Sequence, residues 1–287
     1  MLNIVHAFNV KFKNIVKLFL KKVTFLLQYM QIIGPSDLEI IREYKKRQSE
    51  HPNPLCRYGA FGFSQSDEDG ITLEILRRLD IQTGVFCEFG VGNGSENNTL
   101  ILLAKGWTGA WIGGQDLCFD VSSSNRLVFN KEWITKENIF NIYTKIFDIG
   151  SKINVLSLDL DGNDLYLINE LLNKNVKPDL FIIEYNAIFL PEIEFSIDYD
   201  PDHKWNNDDY FGVSLLSLKK LLNEFDYELI CCNAATGSNA FFVKKESYGK
   251  FSDAPKEIAN IYAEPFYYLP KKIGHSHSIK TLRKITH

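Results

Sequence analysis

The sequence predicts an α/β protein with a doubly wound, mostly parallel sheet. Apolar runs of strand length alternate with amphipathic stretches of helix length, a glycine-rich turn follows the first clear strand, and carboxylates follow two later strands. Strands that alternate with helices in this way indicate a parallel sheet with crossover helices. At 287 residues, of which 45% are hydrophobic, the chain is long enough to bury a sizeable core.

Charge and cysteine content narrow the class of protein. The formal net charge is −4, so the chain as a whole does not attract nucleic acid, and we expect no nucleic-acid partner. The five cysteines include no C-x-x-C pair. We therefore expect reduced thiols in a cytoplasmic protein, since disulfides are rare in that compartment.

Residues 1–33 are predicted to form a basic amphipathic helix. The segment holds five lysines and no acidic residue, and its apolar side chains recur at steps of three and four along one face. It lacks the run of about 18 apolar residues that a spanning helix needs, and no cleavage site follows it. Two interpretations stay open. The helix binds an anionic membrane surface at the inner face of the membrane, or it packs against its own domain or a second subunit of a homo-oligomer.

Residues 1–51 as a whole are predicted to be an N-terminal extension. Gly34-Pro35 ends the first helix, and a second, charged helix is predicted from Asp37 to Arg47. His51-Pro52-Asn53-Pro54 is typical of a linker, because proline and asparagine interrupt regular structure. The α/β domain is therefore expected to begin near residue 52.

The elements of this domain follow from the spacing of apolar residues. The predicted strands cover residues 85–89, 110–114, 133–135, 153–161, 180–186, 227–232 and 239–243. The predicted helices cover residues 71–79, 97–103, 137–147, 164–172 and 214–225. The segment 187–211 is long, irregular and rich in aromatic residues, which is typical of a loop that covers a functional site.

The turn after the first strand indicates a ligand site. Gly90, Gly92 and Gly94 allow a ligand to approach the backbone at the carboxyl end of a buried strand, where open α/β sheets bind their ligands. The spacing is G-x-G-x-G, so the G-x-G-x-x-G of dinucleotide enzymes is not met. This argues against a nicotinamide cofactor.

Carboxylates follow two later strands. The run Asp159-x-Asp161-Gly162-x-Asp164 ends one strand and Glu184 ends the next, so all four acids are expected near the glycine turn. The position of the glycine excludes an EF-hand loop. Three interpretations remain: acids that act as general base or metal ligands, an Asp-x-Asp motif that holds a cation against a sugar nucleotide, or acids that only cap the turn.

Two motifs resemble a known family. Glu88-Phe89-Gly90-Val91-Gly92-Asn93-Gly94 resembles the first motif of class I S-adenosylmethionine-dependent methyltransferases. The run 159–164, together with Ile183-Glu184, is similar to the Asp-x-Glu-Gly-x-Glu and Ile-Glu pattern of FkbM-like methyltransferases, with acids one carbon shorter. The resemblance spans about residues 64–244. It implies a seven-stranded Rossmann-like sheet with a reversed last hairpin, in a domain of residues 52–247 followed by a basic extension, residues 248–287.

The resemblance also implies where the cofactor, S-adenosyl-L-methionine, lies. Glu88, Gly90, Gly92 and Gly94 are expected beneath it, Asp159 at its methionine end, and Gln65 in a segment that covers it. The acids after Gln65 have a second interpretation, because they also suit the dipole of the following helix.

One position departs from the family. Relatives read Trp-Ile-Glu-Gly where this chain reads Trp111-Ile112-Gly113-Gly114, so the acid that binds the ribose hydroxyls is missing, and Asp116 is its candidate substitute. The departure leaves open a weaker cofactor site, a different nucleotide or a loss of activity.

The reaction implied is O-methylation of a hydroxyl on a small-molecule or glycan acceptor, with bacterial surface glycan biosynthesis as the context. Such a transfer needs a base or a metal to remove the hydroxyl proton. We expect Asp161 as base or ligand with Glu184 as its partner, and Asp161, Asp164 and Glu184 as ligands if Mg²⁺ takes part. His203, in the long loop, is an alternative base. A metal-dependent nucleotide-sugar glycosyltransferase and an inactive, methyltransferase-like binding domain are the competing functions.

Overall fold

The computed structural model describes residues 35–266, 268–269 and 272–273. The predicted helix over residues 1–33 lies outside the described residues, as does most of the chain after residue 266. By its internal contacts the chain divides into one unit that ends at Lys46 and a second that begins at Arg47 and contains the sheet. In the part of the chain that the structure describes, no helix has both the length and the apolar character needed to cross a bilayer.

A seven-stranded sheet forms the centre of the second unit and confirms the predicted fold class. Its strands are β1 (Val85–Phe89), β2 (Thr108–Gly113), β3 (Leu127–Lys131), β4 (Val155–Leu158), β5 (Leu180–Glu184), β6 (Tyr227–Cys232) and β7 (Asn239–Lys244). The strand order is β3-β2-β1-β4-β5-β7-β6, in which β7 runs opposite to the other six strands. These six strands therefore end at one rim of the sheet.

Helices precede β1 and follow β1, β3, β4 and β5. They are α1 (Pro35–Glu50), α2 (Glu68–Leu79), α3 (Leu100–Ala104), α4 (Ile139–Ile146), α5 (Asp164–Asn173) and α6 (Leu215–Glu224). Ser214 caps α6, because its side chain accepts a hydrogen bond from the backbone N–H of Ser217. A short antiparallel pair, β8 (Tyr268–Leu269) and β9 (Lys272–Ile273), lies near the end of the described residues.

The central strands are apolar on both faces, as a parallel sheet between two helical layers requires. β4 is buried throughout, and in β1 only Val85 is partly exposed. Apolar side chains on one face of the sheet pack with α4, α5 and α6, and those on the other face pack with α2 and α3. The core thus holds the strand ends, and the turns that follow them, in fixed positions.

The third strand is not where the sequence predicted it. The predicted strand 133–135 is wrong, because β3 covers Leu127–Lys131 and pairs with β2 from Gly109 onward. β3 lies at the edge of the sheet, and its side chains alternate between buried Leu127 and exposed Val128. An edge strand with this alternation lacks the continuous apolar run that marks the central strands. Trp133 and Ile134 follow β3 at the rim.

The segment predicted to be a linker contacts β6 through Asn53. Residues 51–54 lead into a 3₁₀ helix, Pro54–Tyr58, whose Leu55 and Cys56 are fully buried. Asn53 caps this helix through its Oδ1, and its Nδ2 donates to the carbonyl of Ile230, 2.7 Å away. Proline and asparagine here start a helix and cap it.

The compact unit is larger than the predicted domain of residues 52–247. It begins at Arg47. Past residue 247, Phe251, Ile261 and Ala263 are buried within the same apolar core, so the first part of the predicted C-terminal extension packs as part of the domain.

Candidate active site

The glycine turn leaves β1 at the rim of the sheet. A Cβ atom on Gly90, which has φ +92°, would lie 1.6 Å from the carbonyl oxygen of Asp159, so the ends of β1 and β4 approach as closely as they do only because residue 90 is glycine. A Cβ on Gly92, with φ +52°, would meet no atom within 4 Å. The turn therefore fits tightly on one side and faces open space on the other.

Glu88 supports this turn from below. Its carboxylate is buried and accepts hydrogen bonds from the backbone N–H groups of Asn98 and Thr99, at 2.9 and 3.0 Å, and from the Thr99 hydroxyl. Burial raises the pKa of Glu88, while the bonds from Thr99 act in the opposite direction. Its main contacts are thus with the protein itself, although Glu88 also lines the first cavity described next.

Two cavities meet at the glycine turn. The first has a volume of about 390 Å³ and extends toward β5 and β7, and the second, of about 340 Å³, extends toward the ends of β2 and β3. Gly90, Gly92, Asp159 and Asp161 line both cavities. A ligand that occupied both would therefore pass over the glycines and beside two carboxylates.

Three carboxylates cluster at this junction. Asp159 follows β4, Asp161 lies two residues further on, and Glu184 ends β5, and each offers an oxygen within 4.8 Å of the other two. Glu184 Oε2 is buried and has no partner among the described residues.

The pKa values of the clustered acids are all raised. Burial, and then the charge of the neighbouring acids, raise the pKa of Asp159 and Glu184 well above the usual range. Burial also raises the pKa of Asp161, which His203 partly offsets. Carboxylates that repel one another hold protons near neutral pH or bind a cation in their place.

Asp164 has a different place from the one predicted. Its carboxylate accepts hydrogen bonds from the backbone N–H groups of Leu160 and Gly162, each at 3.0 Å, and the side chain is fully buried. Both oxygens are occupied in holding the turn that carries Asp161, which has φ +53°. Asp159, rather than Asp164, lies with Asp161 and Glu184, and the predicted ligand role of Asp164 stays a prediction.

Gln65 lines the first cavity, and its predicted contact with the cofactor stays a prediction. The acids that follow Gln65 hold its segment in place. Glu68 accepts from the backbone N–H of Ser66 at 3.0 Å, and Asp69 accepts from that of Ser64 at 3.1 Å. Asp67 is the N-cap residue of α2 but makes no side-chain capping bond there. Glu68 and Asp69 thus fasten the segment that borders the cavity.

The long loop between β5 and α6 is fastened to the rim. Asn163 makes two hydrogen bonds with the backbone of Asp200, at 2.7 and 3.2 Å, and the indole N–H of Trp133 donates to the carbonyl of Pro201 at 2.8 Å. These bonds place His203 against Gly162 in the second cavity. His203 Nε2 is buried and has no partner among the described residues.

Gly113, at the end of β2 where the resembling family has an acid nearby, lies close to the glycine turn. A Cβ on Gly113 would lie 3.0 Å from Val91 Cγ2, so a larger side chain there would press on the glycine turn. Gln115 lines the second cavity, whereas Asp116 forms an ion pair with Lys131 at 2.7 Å and borders a separate cavity of about 700 Å³. Gln115 is therefore the polar side chain that β2 delivers to the second cavity, and the predicted role of Asp116 stays a prediction.

Two asparagines at the first cavity were not found from the sequence. Asn97 and Asn239 line it, and the Oδ1 atom of each is buried without a partner among the described residues. Asn239 pairs with Glu184 across β5 and β7, and its Nδ2 donates to Glu68 at 3.1 Å. Only the register of an antiparallel pair brings Asn239 to this rim, and that register cannot be read from apolar spacing.

Comparisons with known proteins return similar folds. No protein-family model matches this sequence, and no curated protein sequence matches it. Among solved structures, the MycE methyltransferase of the mycinamycin biosynthetic pathway, in complex with Mg, SAH and mycinamycin VI, is 16% identical over 70% of this chain and 53% of that chain, with a TM-score of 0.43. Human N-acetylserotonin methyltransferase in complex with SAM is 12% identical over 60% of this chain and 51% of that chain, with a TM-score of 0.36.

A third similar structure is an O-methyltransferase family protein from Burkholderia thailandensis, 10% identical over 56% of this chain and 50% of that chain, with a TM-score of 0.35. This chain spans about half the length of each of these three proteins.

Proposed function

We propose that this protein is a methyltransferase that uses S-adenosylmethionine and methylates a hydroxyl group of a sugar-like acceptor with the help of a bound divalent cation. The observation that carries the proposal is the junction of the two cavities, where Gly90 and Gly92 lie beside the clustered carboxylates of Asp159, Asp161 and Glu184. A methyl donor over the glycines and a hydroxyl at the acids would face each other there.

The residues at both cavities fit the cofactor. The open face of Gly92 leaves room for a ligand, and the unpartnered oxygens of Asn97 and Asn239 suit a group rich in donors, such as the ammonium of a methionine. The second cavity offers Trp133 and Ile134, which suit an adenine ring. Bound there, the cofactor supplies an electrophilic methyl group, and these residues orient it and exclude water.

The carboxylate cluster fits a hard cation such as Mg²⁺. Asp159, Asp161 and Glu184 provide oxygen ligands only, and their close approach is repulsive without a positive charge between them. A cation held by these three residues would lower the pKa of an acceptor hydroxyl. The acids themselves fix the position of the acceptor relative to the glycine turn.

Two side chains are placed to accept the hydroxyl proton. Asp161 lies at the junction of the cavities, and His203 presents an unpartnered Nε2 in the second cavity. If the three acids hold a cation, His203 is the remaining base, because a carboxylate that binds a metal is less basic. Without a cation, Asp161 takes that role, with its pKa raised by burial.

The acceptor and cellular context belong to the same proposal. Trp205, beside His203, offers an aromatic face of the kind that packs against sugar rings. We place the reaction in the cytoplasm, in the synthesis of a bacterial surface glycan. Residues 1–33 bring the enzyme to the inner face of the membrane or join two subunits.

Calorimetry with S-adenosylhomocysteine, with and without Mg²⁺, tests the proposal. We expect wild-type protein to bind the nucleoside, and Asp161→Asn to bind it within a few fold but to lose methyl transfer to glycan acceptors. Asp120→Asn is the matched control, because Asp120 lies in an exposed loop and accepts from the backbone of Ser122. Full turnover by Asp161→Asn would remove Asp161 from the mechanism.

The same titrations separate the competing functions. Binding of a sugar nucleotide with Mg²⁺, and none of S-adenosylhomocysteine, would support a glycosyltransferase and overturn the proposal. Tight binding of S-adenosylmethionine without methyl transfer to any glycan acceptor would support a binding domain that has lost catalysis.

A further inference from the structure

Two cysteine sulfurs touch in the core, away from the carboxylate site. Cys56 lies in the 3₁₀ helix Pro54–Tyr58 and Cys231 lies in β6, and their Sγ atoms are 3.8 Å apart. Both side chains are fully buried, and all five cysteines of the chain are free thiols. At 3.8 Å the two sulfurs are in van der Waals contact, so no other atom separates them.

The backbone on either side of the pair is held in place. β6 shifts register against β7 between Leu229 and Cys231, and Asn53 binds the carbonyl of Ile230 within this irregularity. The helix that carries Cys56 is therefore tied to the same part of β6 that carries Cys231. A disulfide bond is about 2.05 Å long. To form one, the two cysteine side chains have to rotate and bring their Sγ atoms closer while the backbone of both segments stays in place.

The two thiols differ in reactivity. A hydrogen bond with Cys231 lowers the pKa of Cys56 to about 6, although burial acts in the opposite direction. Burial raises the pKa of Cys231 well above its ordinary value. The thiolate is the reactive form, so Cys56 is suited to attack an oxidant and Cys231 to react second.

We propose that Cys56 and Cys231 form a reversible redox pair that a hydroperoxide oxidises to a disulfide. The Cys56 thiolate attacks one peroxide oxygen, the O–O bond breaks, and the departing hydroxide takes up a proton, which leaves a sulfenic acid and water when the oxidant is hydrogen peroxide. The Cys231 sulfur then attacks the Cys56 sulfur, the S–O bond breaks, and the hydroxyl group leaves as water with the proton of the Cys231 thiol. Two thiols are oxidised and one peroxide is reduced to two waters.

The bond would join two segments whose following residues lead toward the first cavity. β6 leads into Asn233, whose Oδ1 accepts from the backbone N–H of Asn239 at 2.8 Å and whose Nδ2 donates to Glu68 at 2.9 Å. The 3₁₀ helix leads toward Gln65 and α2. A disulfide between residues 175 positions apart also restricts the unfolded chain, so we expect the oxidised protein to melt about 5–10 °C higher.

Peptide mapping of the full-length wild-type protein tests the pair without any variant. The protein is treated with hydrogen peroxide, the remaining thiols are alkylated under denaturing conditions, and the digest is analysed with and without reductant. We expect a reducible Cys56–Cys231 peptide, while Cys87, which is equally buried, stays a free thiol. Recovery of Cys56 and Cys231 as free thiols after exposed Cys118 has been oxidised would overturn the proposal.

Serine variants of the cysteines identify which two thiols form the disulfide. Cys56→Ser and Cys231→Ser should each lose the linked peptide and the rise in melting temperature, whereas Cys232→Ser should keep both. A link from Cys56 to Cys232 in the wild-type protein would also overturn the proposal. The result does not depend on the proposed methyl transfer, because the readouts are covalent mass and melting temperature.

Discussion

Gly90→Ala should destabilise the protein far more than Gly92→Ala, although both glycines have positive φ. A Cβ at residue 90 would lie 1.6 Å from the carbonyl oxygen of Asp159, whereas real Cβ atoms are almost never closer than 3.0 Å to such an atom. A Cβ at residue 92 would meet no atom within 4 Å. Gly90→Ala must therefore separate the ends of β1 and β4, whereas Gly92→Ala only extends a methyl group into the cavity.

The two costs can be estimated from this geometry. A left-handed backbone at a non-glycine residue costs about 1–2 kcal/mol, which corresponds to a fall in Tm of roughly 2–8 °C for a domain of this size. Gly92→Ala should show no more than this. Gly90→Ala adds the overlap with Asp159 and belongs with the substitutions that cost more than about 4 kcal/mol, so its Tm should fall by more than about 10 °C.

Thermal melts and calorimetry with S-adenosylhomocysteine separate the two effects. Gly92→Ala should stay folded and bind the nucleoside at least about tenfold more weakly, a loss of about 1.4 kcal/mol, and Gly92→Val should bind it more weakly still. Equal melting temperatures for the two alanine variants would refute the described approach of β1 to β4. Wild-type affinity in Gly92→Ala would show that the open face of the turn does not contact the ligand.

Three further predictions concern a buried acid, a turn and the N-terminus. Burial raises the pKa of Glu68 from 4.5 to about 7. The free energy of unfolding of the wild type, relative to Glu68→Gln, should therefore be greatest below about pH 4.5 and fall by an amount on the order of 3 kcal/mol as pH rises through about 7. A constant difference between the two proteins in denaturation experiments across this range would contradict this. Asp164→Ala leaves two buried N–H groups without acceptors and should lower the free energy of unfolding by about 2–6 kcal/mol. Urea denaturation measures this loss, with Asp120→Ala as a control that should match the wild type. Equal midpoints for the two variants would show that the Asp164 hydrogen bonds do not stabilise the protein. The full chain should sediment with anionic vesicles and residues 34–287 should not; a full chain that never sediments excludes the membrane interpretation.

The sequence was most informative where apolar residues are continuous. β1, β4, β5 and the β6–β7 pair were predicted because nearly every residue in them is buried, which gives a continuous apolar run. β3 was misplaced because it lies at the edge and exposes Val128. The prolines at 52 and 54 were interpreted as a linker, since the burial of Asn53 and Leu55 depends on β6, which lies far away in sequence.

The candidate site was predicted in outline but not in its details. Asp159, Asp161 and Glu184 converge because parallel strands end at one rim, and this follows from strand order alone. The exchange of Asp164 for Asp159 depends on which oxygens accept backbone N–H groups, and that requires the shape of the turn. Asn239 depends on antiparallel register, and Gln115 on where the β2 turn points.

Two hydrogen bonds join Asn163, in the turn after β4, to the backbone of Asp200 in the long loop. Through them, the positions of Asp161 and His203 depend on the same contact. Asp161 stands two residues before this asparagine, and His203 three residues after its partner, so neither can be repositioned alone through this contact. A substitution that weakens this contact is therefore expected to displace the reacting groups on both sides of it together.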